Sequence, residues 1–176
     1  MAETHRAAFL GVAFGNNKSM AGVFNGSGSG KILRVYRVQV LNNQTTAVTG
    51  VLTTFALRRS SAQSSGTSVT PVKHDTNSAS LPAQVLTAHG ATVTSASGDT
   101  VGTFMWSNDE PAVSSATSDE LETIPSLMYV WESDPSSSSN VEPLVLREGQ
   151  GIDVRHTGTT TVGTADIFIE FTSAST

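Results

Sequence analysis

The C-terminal part of the chain places apolar side chains at every second position. Residues 165–171 read Ala-Asp-Ile-Phe-Ile-Glu-Phe, so one face of an extended segment would carry Ala165, Ile167, Ile169 and Phe171. Side chains point to alternate faces of a β-strand, and a period of two therefore predicts a strand with one face in a hydrophobic core. This segment is the clearest strand in the sequence.

Similar runs, separated by turn residues, fill most of the chain after Lys31. Charged residues make up only 14% of the chain, and Ser, Thr and Gly are abundant. Thr and Val are stiff at χ1 and pack well on a pleated sheet. Many short strands joined by turns predict an all-β domain, a jelly-roll or related antiparallel β-sandwich, rather than βαβ units. One short helix is expected at Ser114–Thr123. The predicted strands cover residues 32–40, 51–58, 68–72, 83–88, 100–106, 127–132, 143–146, 152–156 and 165–171.

The first thirty residues lack this strand periodicity. Phe9, Phe14 and Phe24 are spaced among Gly, Ala, Asn and Ser, and the segment ends in Asn-Gly-Ser-Gly-Ser-Gly, which is the composition of a flexible linker. The sequence therefore predicts two parts, an extended N-terminal arm at residues 1–30 and a β-sandwich (jelly-roll) domain at 31–176. A disordered tail is the alternative interpretation of the first part.

Charge and composition narrow the functional classes. The net charge of −5 and the pI of about 5.2 argue against a broad nucleic-acid-binding surface. The chain has no cysteine, which excludes disulfides and thiolate metal sites. No stretch is long enough for a transmembrane helix, and the apolar run at residues 7–14 is short for a signal peptide. We therefore expect no nucleic acid, no membrane and no cofactor as partners.

The histidines form no recognisable catalytic or metal-binding motif. His5, His74, His89 and His156 show no metal-ligand spacing. His74 and Asp75 could pair as a base and its orienting acid, but no G-x-S-x-G elbow accompanies them. Hydrogen bonding within a loop is the simpler interpretation of this pair.

The acidic and tryptophan residues also have ordinary structural explanations. Acidic side chains at 109–110, 119–122 and 132–134 fall in loops and at strand ends. We therefore expect neither the paired carboxylates of a glycosidase nor a calcium site. Trp106 and Trp131 lie within apolar strands, which favours core packing over a sugar-stacking platform. The sequence predicts a protein that is not an enzyme, with no metal and no catalytic residue.

Three segments together resemble a known family. They are Val-Thr-Gly-Val-Leu-Thr-Thr-Phe-Ala-Leu-Arg-Arg at 48–59, Val-Thr-Pro-Val-Lys-His-Asp at 69–75, and the terminal run 140–171. Over about residues 31–172 the pattern is similar to the jelly-roll capsid cement (decoration) proteins of tailed bacteriophages, of the short-tailed cyanophage type. The resemblance implies a non-enzymatic virion structural protein that decorates and stabilises a phage capsid by clamping neighbouring major capsid subunits.

The resemblance also implies partners and a location. The major capsid protein would be the partner, the chain would form a homotrimer, and it would lie on the capsid outer surface after synthesis in the host cytoplasm. An arm that orders on binding must offset its lost entropy by burying apolar surface, so the predicted contact residues are Phe9, Leu10, Phe14 and Phe24. The alternative is a carbohydrate- or receptor-binding β-sandwich module such as a fibre head, because fold does not fix function. A hydrolase ranks third.

Overall fold

In the computed structural model, the chain forms two six-stranded antiparallel sheets packed as a sandwich, with a small two-stranded sheet beside them. The structure describes residues 2–43, 51–95, 97–108, 127–133 and 142–176. The strands are β1 Glu3–Ala13, β2 Ser19–Asn25, β3 Lys31–Asn42, β4 Val51–Ser60, β5 Ala62–Ser64, β6 Thr67–Ser68, β7 Val72–Lys73, β8 Val85–His89, β9 Thr92–Thr94, β10 Thr100–Asn108, β11 Leu127–Glu132, β12 Leu144–Leu146, β13 Gln150–His156 and β14 Thr164–Ser175.

The strand order is that of a jelly roll. Sheet A runs β11-β3-β14-β1-β7, with β12 also paired to β3, and sheet B runs β10-β4-β13-β2-β8-β6. Eight principal strands can be numbered 1 to 8 in chain order if β11 and β12, which both pair with β3, count as one strand. They are β1, β2, β3, β4, β10, β11 together with β12, β13 and β14. The two sheets then read 1-8-3-6 and 2-7-4-5, which is the order that two interleaved Greek keys produce. The prediction of an all-β antiparallel sandwich is confirmed.

The two ends of the chain meet in the middle of sheet A. β14 pairs with β1 from Glu3↔Ser173 to Ala13↔Thr164, and on its other side it pairs with β3. The alternation seen in the sequence of β14 appears in the structure, because its inward side chains are buried and its outward ones are half-exposed. Backbone groups on both sides of β14 are thereby satisfied within the sheet.

The hydrophobic core lies between the inner faces of the two sheets. Its largest fully buried side chains include Phe9 from β1, Phe55 from β4 and Phe171 from β14. Phe55 also stacks on Phe104 of β10, which in turn stacks on Tyr129 of β11. These rings connect the two sheets at the β10 and β11 edges.

The prediction of an extended N-terminal arm is wrong, and no domain boundary lies at residue 30. Residues 3–25 form β1 and β2, which lie inside sheets A and B. Phe9 and Phe14 belong to the chain's own core at 0% and 4% exposure. Phe24 packs beside Gly151 on the outer face of sheet B and is 8% exposed, whereas Leu10 is 63% exposed.

The sequence pattern of β2 explains this error. Every residue of β2 is buried, because its inner face meets the core and β5 of the two-stranded β5–β9 sheet contacts its outer side. The side chain of Gln63 on β5 lies directly over Gly22 of β2. A strand buried on both faces shows no alternation, and a period of two cannot reveal it.

The glycine-rich segment after β2 is an ordered turn rather than a flexible linker. The carboxylate of Glu148 accepts hydrogen bonds from the backbone N–H groups of Gly28, at 3.1 Å, and Gly30, at 2.8 Å. These two bonds lower the pKa of Glu148. The turn thereby carries the chain from sheet B to sheet A.

Helical structure is minor in the part of the chain that is described. A 3-10 turn occupies Ser97–Asp99, and no described helix is long and apolar enough to cross a membrane. The helix predicted at Ser114–Thr123 lies outside the described residues.

Neighbouring residues of β1 provide a direct test of this architecture. Phe9→Ala should lower the free energy of unfolding by about 3–5 kcal/mol, because it leaves a cavity in the core. Leu10→Ala, the matched control on the exposed side, should change it by less than about 0.5 kcal/mol. Chemical denaturation followed by tryptophan fluorescence measures both values. Equal small effects would mean that β1 is not part of the folded core.

Candidate functional site

A half-open cavity of about 290 Å³ lies between the β1–β7 edge of sheet A and the β8–β6 edge of sheet B. We call it the edge cavity. His5 of β1 and Lys73 of β7 line it from sheet A, and Val85 and Thr87 of β8 line it from sheet B. The segments that precede β7 and β8 complete its walls. The edge cavity is therefore built by β1 together with parts of the chain that lie outside the eight principal strands.

His5 is a buried imidazole in the wall of this cavity. It is 1% exposed, its Nε2 lies 3.1 Å from the hydroxyl of Ser173, and its ring stacks on Phe171. Burial lowers the pKa of His5, Glu3 opposes that shift, and Lys73 adds to it. His5 is accordingly neutral at neutral pH. The period of β1, with His5, Ala7 and Phe9 at alternate positions, is the sequence signal that places it inward.

A second, more open cavity of about 430 Å³ contains the His74-Asp75 pair. The carboxylate of Asp75 accepts a hydrogen bond from the backbone N–H of Asn77, and the carboxylate of Glu3 accepts one from Ala79. Both carboxylates therefore stabilise the turn after β7. For Asp75 this agrees with the interpretation as loop hydrogen bonding, whereas for His74 the interpretation stays a prediction.

A hydroxyl, an imidazole and a carbonyl form a chain within the core. The Nδ1–H of His156 donates to the carbonyl of Gly15 at 2.8 Å, so its Nε2 accepts from the hydroxyl of Thr53. Thr53 and His156 are 2% and 0% exposed. Gly158 lies so close that a Cβ there would overlap the Thr53 hydroxyl. A nucleophile needs access to its substrate, and this arrangement instead joins β4 and β13 to the loop between β1 and β2.

A buried ion pair on β13 connects sheet B to the small β5–β9 sheet. The carboxylate of Asp153 accepts hydrogen bonds from the hydroxyl of Ser19 at 2.6 Å and from Nε of Arg155 at 2.8 Å. Arg155 also donates to the carbonyls of Asn17 and of Val93 on β9. Burial raises the pKa of Asp153, and the bonds from Ser19 and Arg155 oppose the shift. Breaking such an ion pair leaves an unpaired buried charge, which is costly. The pair therefore keeps Arg155 where it can hold β9 in place.

Charged side chains of alternating sign cross the outer face of sheet A. The register places Arg6 of β1 beside Glu170 of β14, Glu170 beside Arg37 of β3, and Arg37 beside Glu132 of β11. We call these four residues the charge ladder. Nε of Arg6 lies 3.7 Å from Glu170, and its guanidinium lies 4.3 Å from the centre of the Phe168 ring. The ladder forms a broad face on which arginine, glutamate and aromatic side chains have fixed positions.

The remaining predicted residues have structural positions. Trp106 and Trp131 pack against the core, as predicted. Glu132 belongs to the charge ladder, whereas the acidic residues at 109–110 and 119–122 lie outside the described residues. Within the described ranges, no group of three or more histidine or acidic side chains is placed to hold a metal ion.

Comparisons with protein-family models, with curated proteins and with solved structures found no match to this chain. The similarity to phage cement proteins therefore rests on the three sequence segments named above.

The buried imidazole of His156 should make stability depend on pH. Burial lowers the pKa of His156 below the ordinary value of 6.5, so the unfolded chain binds protons more readily than the folded one. The free energy of unfolding should fall as the pH is lowered from about 7 to about 5, and His156→Gln should reduce this slope. Urea denaturation at several pH values measures it. An unchanged slope in the variant would contradict this assignment.

Proposed function

We propose that the chain is a non-enzymatic structural protein of a phage virion, which decorates the capsid by attaching through the outer face of sheet A. The observation that carries this proposal is the charge ladder. The ladder spans four strands, and its four side chains are partly or fully exposed to solvent. The outer face of sheet B differs, because the small β5–β9 sheet covers its β2–β13 part.

The residue types on this face suit a protein interface. Arginine and aromatic side chains are enriched in interfaces relative to other surfaces. Nε of Arg6 and Nε of Arg37 are buried without a hydrogen-bond partner among the described residues, although Arg6 remains close to Glu170. Because Nε is buried, each guanidinium can donate to a partner only through its terminal N–H groups. Both arginine side chains are already partly buried, so less side-chain entropy is lost on binding.

The alternating signs also favour a specific orientation of the partner. A partner surface whose charges alternate in the opposite order would bring unlike charges together in one register. Shifting that surface by one strand would bring like charges together. Like-charge contacts across an interface cost several kcal/mol, so such a ladder contributes specificity more than affinity. A decoration protein needs this property, because it must bind repeated capsid positions in one orientation.

Attachment through sheet A replaces the arm as the means of binding. Phe9, Phe14 and Phe24 are buried within the chain and are not available to a capsid. Leu10 is exposed and stays a predicted contact. The homotrimer, the major capsid protein as partner and the position on the capsid exterior remain part of the proposal, on the strength of the resemblance.

Charge reversal at one rung of the ladder tests the proposal. Arg37→Glu would place three acidic side chains together across β14, β3 and β11, and we expect occupancy on capsids lacking the native copy to require at least about tenfold more protein. Arg147→Glu, which makes the same charge change on the exposed turn between β12 and β13, is the matched control. Quantitative gel analysis of sedimented particles gives occupancy, and thermal melts confirm folding.

Two results would contradict the proposal in different ways. Equal occupancy of the Arg37→Glu and Arg147→Glu proteins would show that sheet A is not the attachment surface. Failure of the wild-type chain to bind capsids assembled from the major capsid protein of the same genome would show that the capsid assignment is wrong.

A further inference from the structure

The edge cavity has a cationic wall. Lys73 lies directly opposite His5 in the β1–β7 pairing, so both side chains lie on the inner face of sheet A. The ammonium of Lys73 donates to the carbonyl of Ser78 at 2.6 Å. An ammonium has three donors, and two remain for another acceptor. Lys73 thus lines the edge cavity, and its ammonium keeps donors beyond the one that bonds Ser78, a residue of the second cavity.

Lys73 is the one charged side chain among the described residues that line the edge cavity. Burial lowers the pKa of His5; Glu3 opposes this shift, and Lys73, His74 and Lys31 add to it. With its imidazole neutral, His5 does not need an anion to balance its own charge. Cavities lined by charge of one sign between low-dielectric walls concentrate ions of the other sign. The edge cavity is thus suited to an anionic group at its Lys73 side.

The other walls of the cavity are apolar, with a polar rim. Val69 and Leu81 pack against the hydrophobic core, and Pro82 and Val85 continue this surface. Exposed hydroxyl groups, such as that of Ser80, lie at the rim. A volume of about 290 Å³ is near the lower end of the range for ligand sites. A ligand of this site would have a compact apolar body of about one ring.

We propose that the edge cavity binds a small organic carboxylate with a compact apolar body. The ammonium of Lys73 binds the carboxylate, and Leu81, Pro82 and Val85 contact the apolar body. The cavity lies at the β7–β6 edge and the charge ladder spans the outer face of sheet A, so this site does not depend on capsid attachment.

Titration with benzoate, followed by amide NMR shifts of the full chain, tests the site. Benzoate should shift resonances of residues that line the cavity and bind with a dissociation constant of about 1 mM or lower. Lys73→Met removes the ammonium but keeps an apolar stem, and it should weaken binding at least about tenfold. Lys18→Met removes a lysine elsewhere on the molecule and should bind like the wild type.

Further probes separate the parts of the proposal. Ser80→Trp fills the rim from an exposed position and should abolish binding even if Lys73→Met proves unstable. Benzamide, the neutral isostere, should bind more weakly than benzoate. Equal binding of benzamide and benzoate, tighter binding of the polar carboxylate galacturonate, or no cavity shifts with benzoate would each overturn the proposal.

Discussion

The pairing of β14 with both β1 and β3 is the interaction on which the rest of the structure depends. It joins the first and last strands of the chain, and Glu3 lies opposite Ser173. Closing such a long loop costs entropy, but this cost grows only slowly with loop length and is offset by the core that both sheets then enclose. Since β14 is central in sheet A, removal of β1 would expose one of its edges together with Phe9. The N-terminal residues are therefore a structural requirement.

Several polar groups that resemble catalytic residues instead hold loops onto this frame. His156 joins Thr53 to the segment after β1, and Arg155, paired with Asp153, joins the small β5–β9 sheet to sheet B. Both groups are buried, which makes their hydrogen bonds costly to lose. Partners are proposed at two of the described surfaces, the outer face of sheet A and the edge cavity. We therefore expect function at the outer face of sheet A and at the cavity between the sheet edges, rather than at these buried polar groups.

The sequence predicted the strands that have one buried and one exposed face. β14, β3 and β10 were found because their periods and turn residues are regular. β2 was missed because it is buried on both faces, and β1 because Gly11, with φ of +61°, forms a bulge that shifts the register between Phe9 and Val12. The edge cavity could not be predicted from the sequence, because it depends on the pairing register of the strands. That register determines which residue lies opposite His5. The charge ladder could not be predicted either, because it depends on the order of four strands in sheet A.

Native-state hydrogen exchange tests most directly whether the first 25 residues are integral to the jelly roll. Amides of β1 bonded to β14 should exchange only through global unfolding, with the same free energy as the amides that join β14 to β3. Amides of β2 bonded to β13 should behave in the same way. Rapid exchange throughout β1 and β2, with protection retained in β3 and β14, would contradict the account and show that the remaining strands fold without them.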